Sequence, residues 1–284
     1  MPPDYPRDIS STVSRSESFP PGSPLSVAVS DRDRDILTTV ERAVAGGDVM
    51  LAYQPVVPAG RQDRPAFYEG LIRVLDRNGR IIPAQEFITL VETLEIGREI
   101  DCLALERGLD TLLAHPRLRL SINMSARSIG YARWMQVLHR GLARDPAVGE
   151  RLILEITEGS AIEMPDVVQA FMSELQAVGI SFAIDDFGAG FTSLRHLKEL
   201  YFDILKIDGQ FIRGIARNPD NQAVVKALLS IGRHFDMVTI AEFVESNEDA
   251  VYLTKIGVDC LQGYYFGAPT IRARWDPCEE EKRA

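Results

Sequence analysis

Short apolar runs rich in β-branched residues recur along the chain, and most stop at or beside a polar residue that can bind metal or phosphate. MLAYQPVV reads as the first strand. FYEGLIRV contains Glu69, LRLSIN ends on Asn123, RLIL leads into Glu155, and ISFAIDD ends on Asp185 and Asp186. Lys206 lies in FDILKID, Glu242 follows MVTIA, and Gln262 follows VDCL. From Glu69 onward these positions are spaced by 54, 32, 30, 21, 36 and 20 residues, about one strand–helix unit per step.

Stripes with helical period fill the gaps. Val167, Val168, Phe171, Met172 and Leu175 mark one, closed by Gly179; Val224, Val225, Leu228 and Leu229 mark another, and Ala250 with Leu253 a third. Pro83 opens a predicted long helix through Phe87, Leu90, Val91 and Leu94, and a second helix covers Leu103 to Leu113. A first helix, capped by Ser30, carries Ile36, Leu37, Val40 and Ala43 and ends at Gly46 and Gly47. Eight strands alternating with helices predict an α/β fold, a closed TIM (β/α)8 barrel with its functional groups at the strand ends. Residues 1–30 hold six Pro and eight Ser and read as a disordered tail. The barrel is expected over 31–271, followed by a polar tail, 272–284.

Composition narrows the function. A chain of 284 residues with 45% hydrophobic content can bury one large core. Its net charge of −10 argues against binding DNA or RNA through a basic face, although local cations and metal ions can still hold a phosphate substrate. No apolar run reaches the roughly 18 residues of a membrane span, so no insertion is expected. No signal pattern opens the chain. Cys102, Cys260 and Cys278 are scattered and read as reduced thiols of the cytoplasm.

The Asp185–Asp186 pair is the most specific chemical signal. Neighbouring side chains of a strand point to opposite faces, so the two can share a site only where the strand breaks into FGAGFTS. There they can bind two cations; a helix cap or turn is the plainer reading. Glu155 ends an apolar run, where an unpaired carboxylate is costly. Glu158 can orient the adjoining loop or be a solvated charge. Asn123 offers a neutral oxygen ligand or a turn residue. Lys206 has Asp208 on its own strand face; it can orient an attacking water near metals or form a buried ion pair with Asp208. Glu242 looks inward and Glu245 follows as a supporting acid or a helix N-terminal acid. Arg73 shares the face of Glu69 and Leu71 and can reach a phosphate. Gln262 is a substrate contact or a turn glutamine. FGAGFTSLRHL reads as a mobile lid without the spacing of a phosphate-loop fingerprint. The four histidines show no ligand spacing, and no serine or cysteine nucleophile motif occurs.

Taken in series, EGLIR at 69–73, SINMS, LEITEG, AIDDFGAGFTSL, DILKID, IAEFVE and LQGYYF resemble the EAL-domain family of bacterial cyclic di-GMP phosphodiesterases. The likeness runs from LAYQPVV to Pro269. It implies a modified barrel whose first strand is antiparallel to the rest, and two Mg2+ or Mn2+ ions. Glu69, Asn123, Glu155 and Asp185 would hold one ion, and Asp185, Asp186 and Glu242 the other. Lys206 would orient the attacking water. Glu158, with Glu245, would steady the loop. Arg73, Leu71, Asp208 and Gln262 would meet the substrate, cyclic di-GMP, which would open to linear pGpG. A homodimer near the lid and an upstream regulatory protein are further expectations. The competing readings are a catalytically impaired receptor for cyclic di-GMP and a barrel enzyme acting on another phosphate ester.

Three positions depart from the family pattern. Gly70 replaces alanine and should point away from Glu69. Val74 replaces tryptophan and should loosen packing or stacking at the mouth. Phe243 replaces glycine; because Glu242 and Val244 share one strand face, its ring is expected to point outward and fill volume under the helices. If the strand instead ends at Glu242, the ring enters the loop beside the second metal.

Overall fold

Period-two alternation, with an apolar layer on each side of the sheet, organises the whole molecule. A computed structural model describes residues 24–188, 197–272 and 275. Nine strands are present among them: β1 Val49–Pro58, β2 Phe67–Leu75, β3 Ile81–Pro83, β4 Leu120–Asn123, β5 Leu152–Thr157, β6 Ser181–Phe187, β7 Ile204–Ile207, β8 Val238–Ala241 and β9 Cys260–Gln262. Eight close the ring in the order β1-β9-β8-β7-β6-β5-β4-β2, with β1 also pairing β2. β1 is antiparallel to both neighbours, and the other ring pairs are parallel. The fold is therefore the modified α/β barrel with a reversed first strand.

Six helices of ten or more residues are described: α1 Pro24–Gly46, α2 Glu95–Ala114, α3 Ala132–Arg144, α4 Pro165–Gln176, α5 Pro219–His234 and α6 Asn247–Ile256. Their apolar stripes meet the outer sheet face in one large core that includes Val40, Leu105, Trp134, Phe171, Leu229 and Leu253. A second, smaller core of Val56, Phe67, Ile153, Ala183, Ile204, Ile240 and Cys260 fills the barrel interior. No described helix is long and apolar enough to cross a membrane.

The structure corrects the expected elements in three places. A ninth strand, β3, lies outside the ring as a hairpin arm on β2, with Pro83 opposite Arg73. Pro83 thus ends a strand, and no long helix begins there: a 3-10 turn, Ala84–Glu86, and one helical turn, Ile88–Val91, precede α2. Phe87, at φ −134°, breaks the helical path between them. Ser30 lies within α1 and does not cap it, because the helix starts at Pro24, whose fixed φ and missing N–H suit a first turn. The expected tail therefore gives up residues 24–30, and residues 1–23 lie outside the described residues. At the other end the tail is not wholly polar. The Trp275 ring meets Tyr53 and Tyr68 edge-on at 4.7 and 4.8 Å.

Candidate metal and phosphate site

The interior core places the functional residues. In each forward strand, the residue two positions after its inner-layer member points into the barrel one level higher. Phe67 leads to Glu69, Ser121 to Asn123, Ile153 to Glu155, Ala183 to Asp185, Ile204 to Lys206, Ile240 to Glu242, and Cys260 to Gln262. β1 runs backwards, so the residue two before Val56, Gln54, completes the ring. These eight side chains, one per strand, form a polar layer on an apolar floor. All except Asn123 are buried.

Lys206 stands at the centre of this layer, 1% exposed. Its Nζ lies 2.7 Å from Glu155 Oε2, 2.8 Å from Glu242 Oε1, 2.9 Å from Asp185 Oδ1 and 3.4 Å from Glu69 Oε2. The reading of Lys206 as an ion pair with Asp208 is thereby replaced: its partners come from four other strands. Glu69 also accepts from Gln262 Nε2 at 2.5 Å and from Asn123 Nδ2 at 2.8 Å. Gln262 Nε2 reaches Gln54 Oε1 at 3.3 Å. Gln54 was absent from the expected site, and its signal was a glutamine inside LAYQPVV. Only the reversal of β1 tells which way to count.

One ammonium cannot balance this many carboxylates. Burial pushes the Lys206 amine down, but its acidic neighbours outweigh that and hold it well above its usual range. Burial pushes Glu69 up, yet Lys206 and the bonds from Gln262 and Asn123 hold it below the ordinary value. Burial, then the Glu69 charge, raise Glu155 to about 8. Burial raises Glu242 well above its ordinary value despite Lys206. Burial and the charges of Asp185 and Asp208 raise Asp186 to about 7. Glu155 Oε1 is buried with no hydrogen-bond partner. Such a site accepts protons or further cations, and hard oxygen donors of this kind suit Mg2+ or Mn2+. The donor set fits a divalent ion.

A bulge brings the adjacent aspartates together. The register between β6 and β7 shifts between Ile184 and Phe187, and Asp186 adopts φ 53°. The break lies one residue inside the strand end, not at its exit. Carboxylate oxygens of Asp185, Asp186 and Glu242 then fall within 4.8 Å of one another. The second expected ligand group is thus assembled, whereas Glu69, Asn123 and Glu155 gather around Lys206 and each other. Asp208 caps the turn Gly209–Ile212 through Gln210 N at 2.7 Å and is not among the residues lining the cleft.

Above the polar layer opens a cleft of about 570 Å3, lined by Leu71, Arg73, Glu242, Phe243, Glu245 and Tyr264 among others. Arg73 donates to Ile72 O at 2.9 Å; burial lowers its guanidinium, and the Glu69 charge opposes this. Glu158 Oε2 accepts from Gly188 N at 2.8 Å. The expected lid mostly lies outside the described residues, which resume at Leu197. Glu245 is on the cleft rim, 3.7 Å from Arg213. Asp101 of α2, also absent from the expected site, lines the cleft and accepts from Ser125 N at 3.0 Å and Ser128 Oγ at 2.6 Å. It thereby ties down the loop that follows Asn123.

Of the three departures only Val74 is absent from the cleft lining, which includes Gly70 and Phe243. Gly70 faces the helix side, where a Cβ would stand 2.7 Å from Ile122 Cδ1. Val74 is fully buried on that side between Val49 and Ile82, so it packs and does not face the mouth. Phe243 overturns the expected burial. β8 ends at Ala241, Phe243 adopts φ 53°, and the residue is 45% exposed on the cleft wall. A left-handed backbone favours glycine by about 1–2 kcal/mol over a bulky residue.

A family model described as EAL domain matches residues 38–269. The cyclic di-GMP phosphodiesterase PdeB of Shewanella oneidensis is 31% identical over 245 residues, 85% of this chain and 28% of that protein. MucR of Pseudomonas aeruginosa, a bifunctional diguanylate cyclase/cyclic di-GMP phosphodiesterase, is 32% identical over 242 residues, 82% of this chain and 35% of that protein. The chain thus spans about a third of the length of these curated relatives. Among solved structures, the PaMucR phosphodiesterase in complex with c-di-GMP superposes with a TM-score of 0.72 at 30% identity, covering 83% of this chain and 97% of that one. The FimX EAL domain from Pseudomonas aeruginosa bound to c-di-GMP gives 0.76 at 24% identity, covering 85% and 99%, a likeness of fold alone.

Proposed function

The chain belongs to the EAL-domain family, and from that premise we propose that it hydrolyses cyclic di-GMP to linear 5′-pGpG with Mg2+ or Mn2+. The observation that carries the reading is the eight-residue polar layer, with its excess of buried carboxylates and the unpartnered Glu155 Oε1. Glu69, Asn123, Glu155 and Asp185 would hold one ion in this reading, and Asp185, Asp186 and Glu242 would hold the other. Such ions, when bound, would lower the pKa of a water and offset charge on the phosphoryl oxygens.

The chain's own residues supply the positioning. Lys206, fixed by four carboxylates, orients the water for in-line attack on phosphorus and opposes charge that builds there. The water oxygen bonds to phosphorus as one ring P–O bond breaks; the proton the water loses passes to the carboxylate layer, and the leaving oxygen takes up a proton from solvent. Arg73 meets a phosphate from the wall formed by β2, and Leu71 and Gln262 contact the ligand beside it. Asp208 acts through Asp186, whose carboxyl it raises. Glu158 holds the start of the loop after β6 through Gly188, and Glu245 steadies the rim through Arg213. A homodimer near that loop, a bacterial cytoplasmic setting and an upstream regulatory partner complete the proposal.

Incubation with cyclic di-GMP and Mg2+ or Mn2+, followed by chromatography, tests the reading. Metal-dependent release of pGpG is the expected result. Cyclic di-GMP that binds yet stays intact at saturating metal would make the chain a receptor, and absence of binding would remove both readings. Sedimentation at micromolar concentration tests the dimer.

A further inference from the structure

Phe243 combines a backbone that suits glycine with a ring that the fold does not bury. The ring is pressed against Gly209, where a Cβ would stand 2.3 Å from Phe243 Cδ2, and the Arg213 guanidinium lies over it at 4.2 Å from the centroid. Both contacts come from one short stretch, the turn Gly209–Ile212 and the residue after it. Arg213 is in turn 3.7 Å from Glu245. The ring is therefore held by that one stretch, while 45% of Phe243 stays exposed and lines the cleft directly beside Glu242. Tyr264, 67% exposed, lines the same cleft.

Burial cannot account for a large apolar ring at this position, and the backbone opposes it. Conformations of this kind persist where neighbouring structure over-determines them, and they cluster at ligand-binding sites. An aromatic face beside a phosphate-binding floor is a surface on which any nucleobase can stack. We infer that Phe243 is a stacking residue that takes one base of the cyclic dinucleotide at the mouth of the cleft, with Arg213 and Gly209 fixing the ring. The inference rests on the functional reading above. It assigns to this chain a base contact that a glycine at the same position would not provide.

The test is calorimetric titration of cyclic di-GMP into wild type, Phe243→Gly and Phe243→Trp, first in EDTA and then with Ca2+, with thermal midpoints recorded for each. Glycine suits the left-handed backbone, so this variant should fold with a midpoint at or above that of wild type. It should bind about tenfold more weakly, as loss of one base–aromatic stack implies, and Phe243→Trp should stay within about threefold of wild type, as its ring keeps the stack. Equal or tighter binding by Phe243→Gly would overturn the inference and mark the ring as an obstruction. Wild-type protein that binds no cyclic di-GMP in either condition would overturn the functional reading and this inference with it. Binding lost only in the glycine variant upholds both.

Discussion

Lys206 Nζ lies 2.7 Å from one oxygen of Glu155, while the other oxygen of the same carboxylate is buried without a hydrogen-bond partner. The half-satisfied carboxylate shows the condition of the whole site. The single buried ammonium is shared among four acids and leaves donors to spare.

Removing that ammonium should expose the imbalance. Lys206→Met is expected to destabilise the metal-free protein by about 3 kcal/mol, because it leaves buried carboxylates without their counter-charge. For a chain of this size that is a fall of roughly 6–12 °C in thermal midpoint. Added Mn2+ should raise the variant's midpoint more than that of wild type. Scanning calorimetry with and without metal measures both effects, and equal metal responses would contradict the placement of the ions among these acids.

Stability should also depend on pH in a direction that metal opposes. Glu155 moves from an ordinary 4.5 to about 8 on folding, and Asp186 from 3.8 to about 7. Between those limits the folded protein keeps protons that the unfolded chain has released, so stability falls as pH rises from about 4.5 to 8. Glu69, held below its ordinary value, acts in the opposite sense and only below about pH 4.5. Midpoints in EDTA should therefore decline from pH 5 to pH 8, and saturating Mg2+ or Mn2+ should flatten the decline. A midpoint that rises with pH in EDTA would refute this.

Charge deletion at the expected ligands gives a sharper readout. Glu69→Gln and Asp185→Asn keep side-chain volume while removing one negative charge each. Either should lower turnover of cyclic di-GMP by about 10²-fold or more, judged by the 10–100-fold losses seen when even supporting groups around a metal are changed. Circular dichroism should remain that of wild type. Near wild-type hydrolysis at saturating metal in either variant would disprove the two-ion assignment.

Glu158 offers a test one step removed from the metals. Its bond to Gly188 N anchors the chain two residues beyond Asp186. Glu158→Ala should weaken metal binding by about tenfold, the low end for groups that orient a ligand. Titration with Mn2+, followed by its electron spin resonance signal, measures this directly.

Much of this site was legible because buried parallel strands leave an apolar run that stops where the chain meets the cleft. Glu155, Lys206 and Glu242 are each preceded by such a run, and each faces inward. The reversal of β1 left no mark in that pattern, since an antiparallel strand with both faces covered has the same composition. Gln54 was lost with it. β3 was too short to register, and its Pro83 carries the same signal as a helix start. Strand alternation misplaces Phe243, because the strand ends two residues before it and its φ is positive, so period two no longer holds. Asp101 belongs to a helix, and only packing of α2 against the loop after β4 reveals its contacts.

The reversed first strand has one more consequence. In a barrel of uniformly forward strands the preceding helix arrives at the closed end; here α1 delivers the chain to the open rim. Val49 pairs with Val74, beyond the level of Leu71 where the neighbouring forward strand stops. Arg42 of α1 donates to Leu75 O at 3.1 Å, and Leu75 N donates to Asp48 O at 2.9 Å. Leu75 is two residues from Arg73, on the same strand and the same face. α1 is thus joined to the wall that carries Arg73, on the open side of the polar layer. The helix is tied to the cleft side of the molecule and not to the closed end of the barrel.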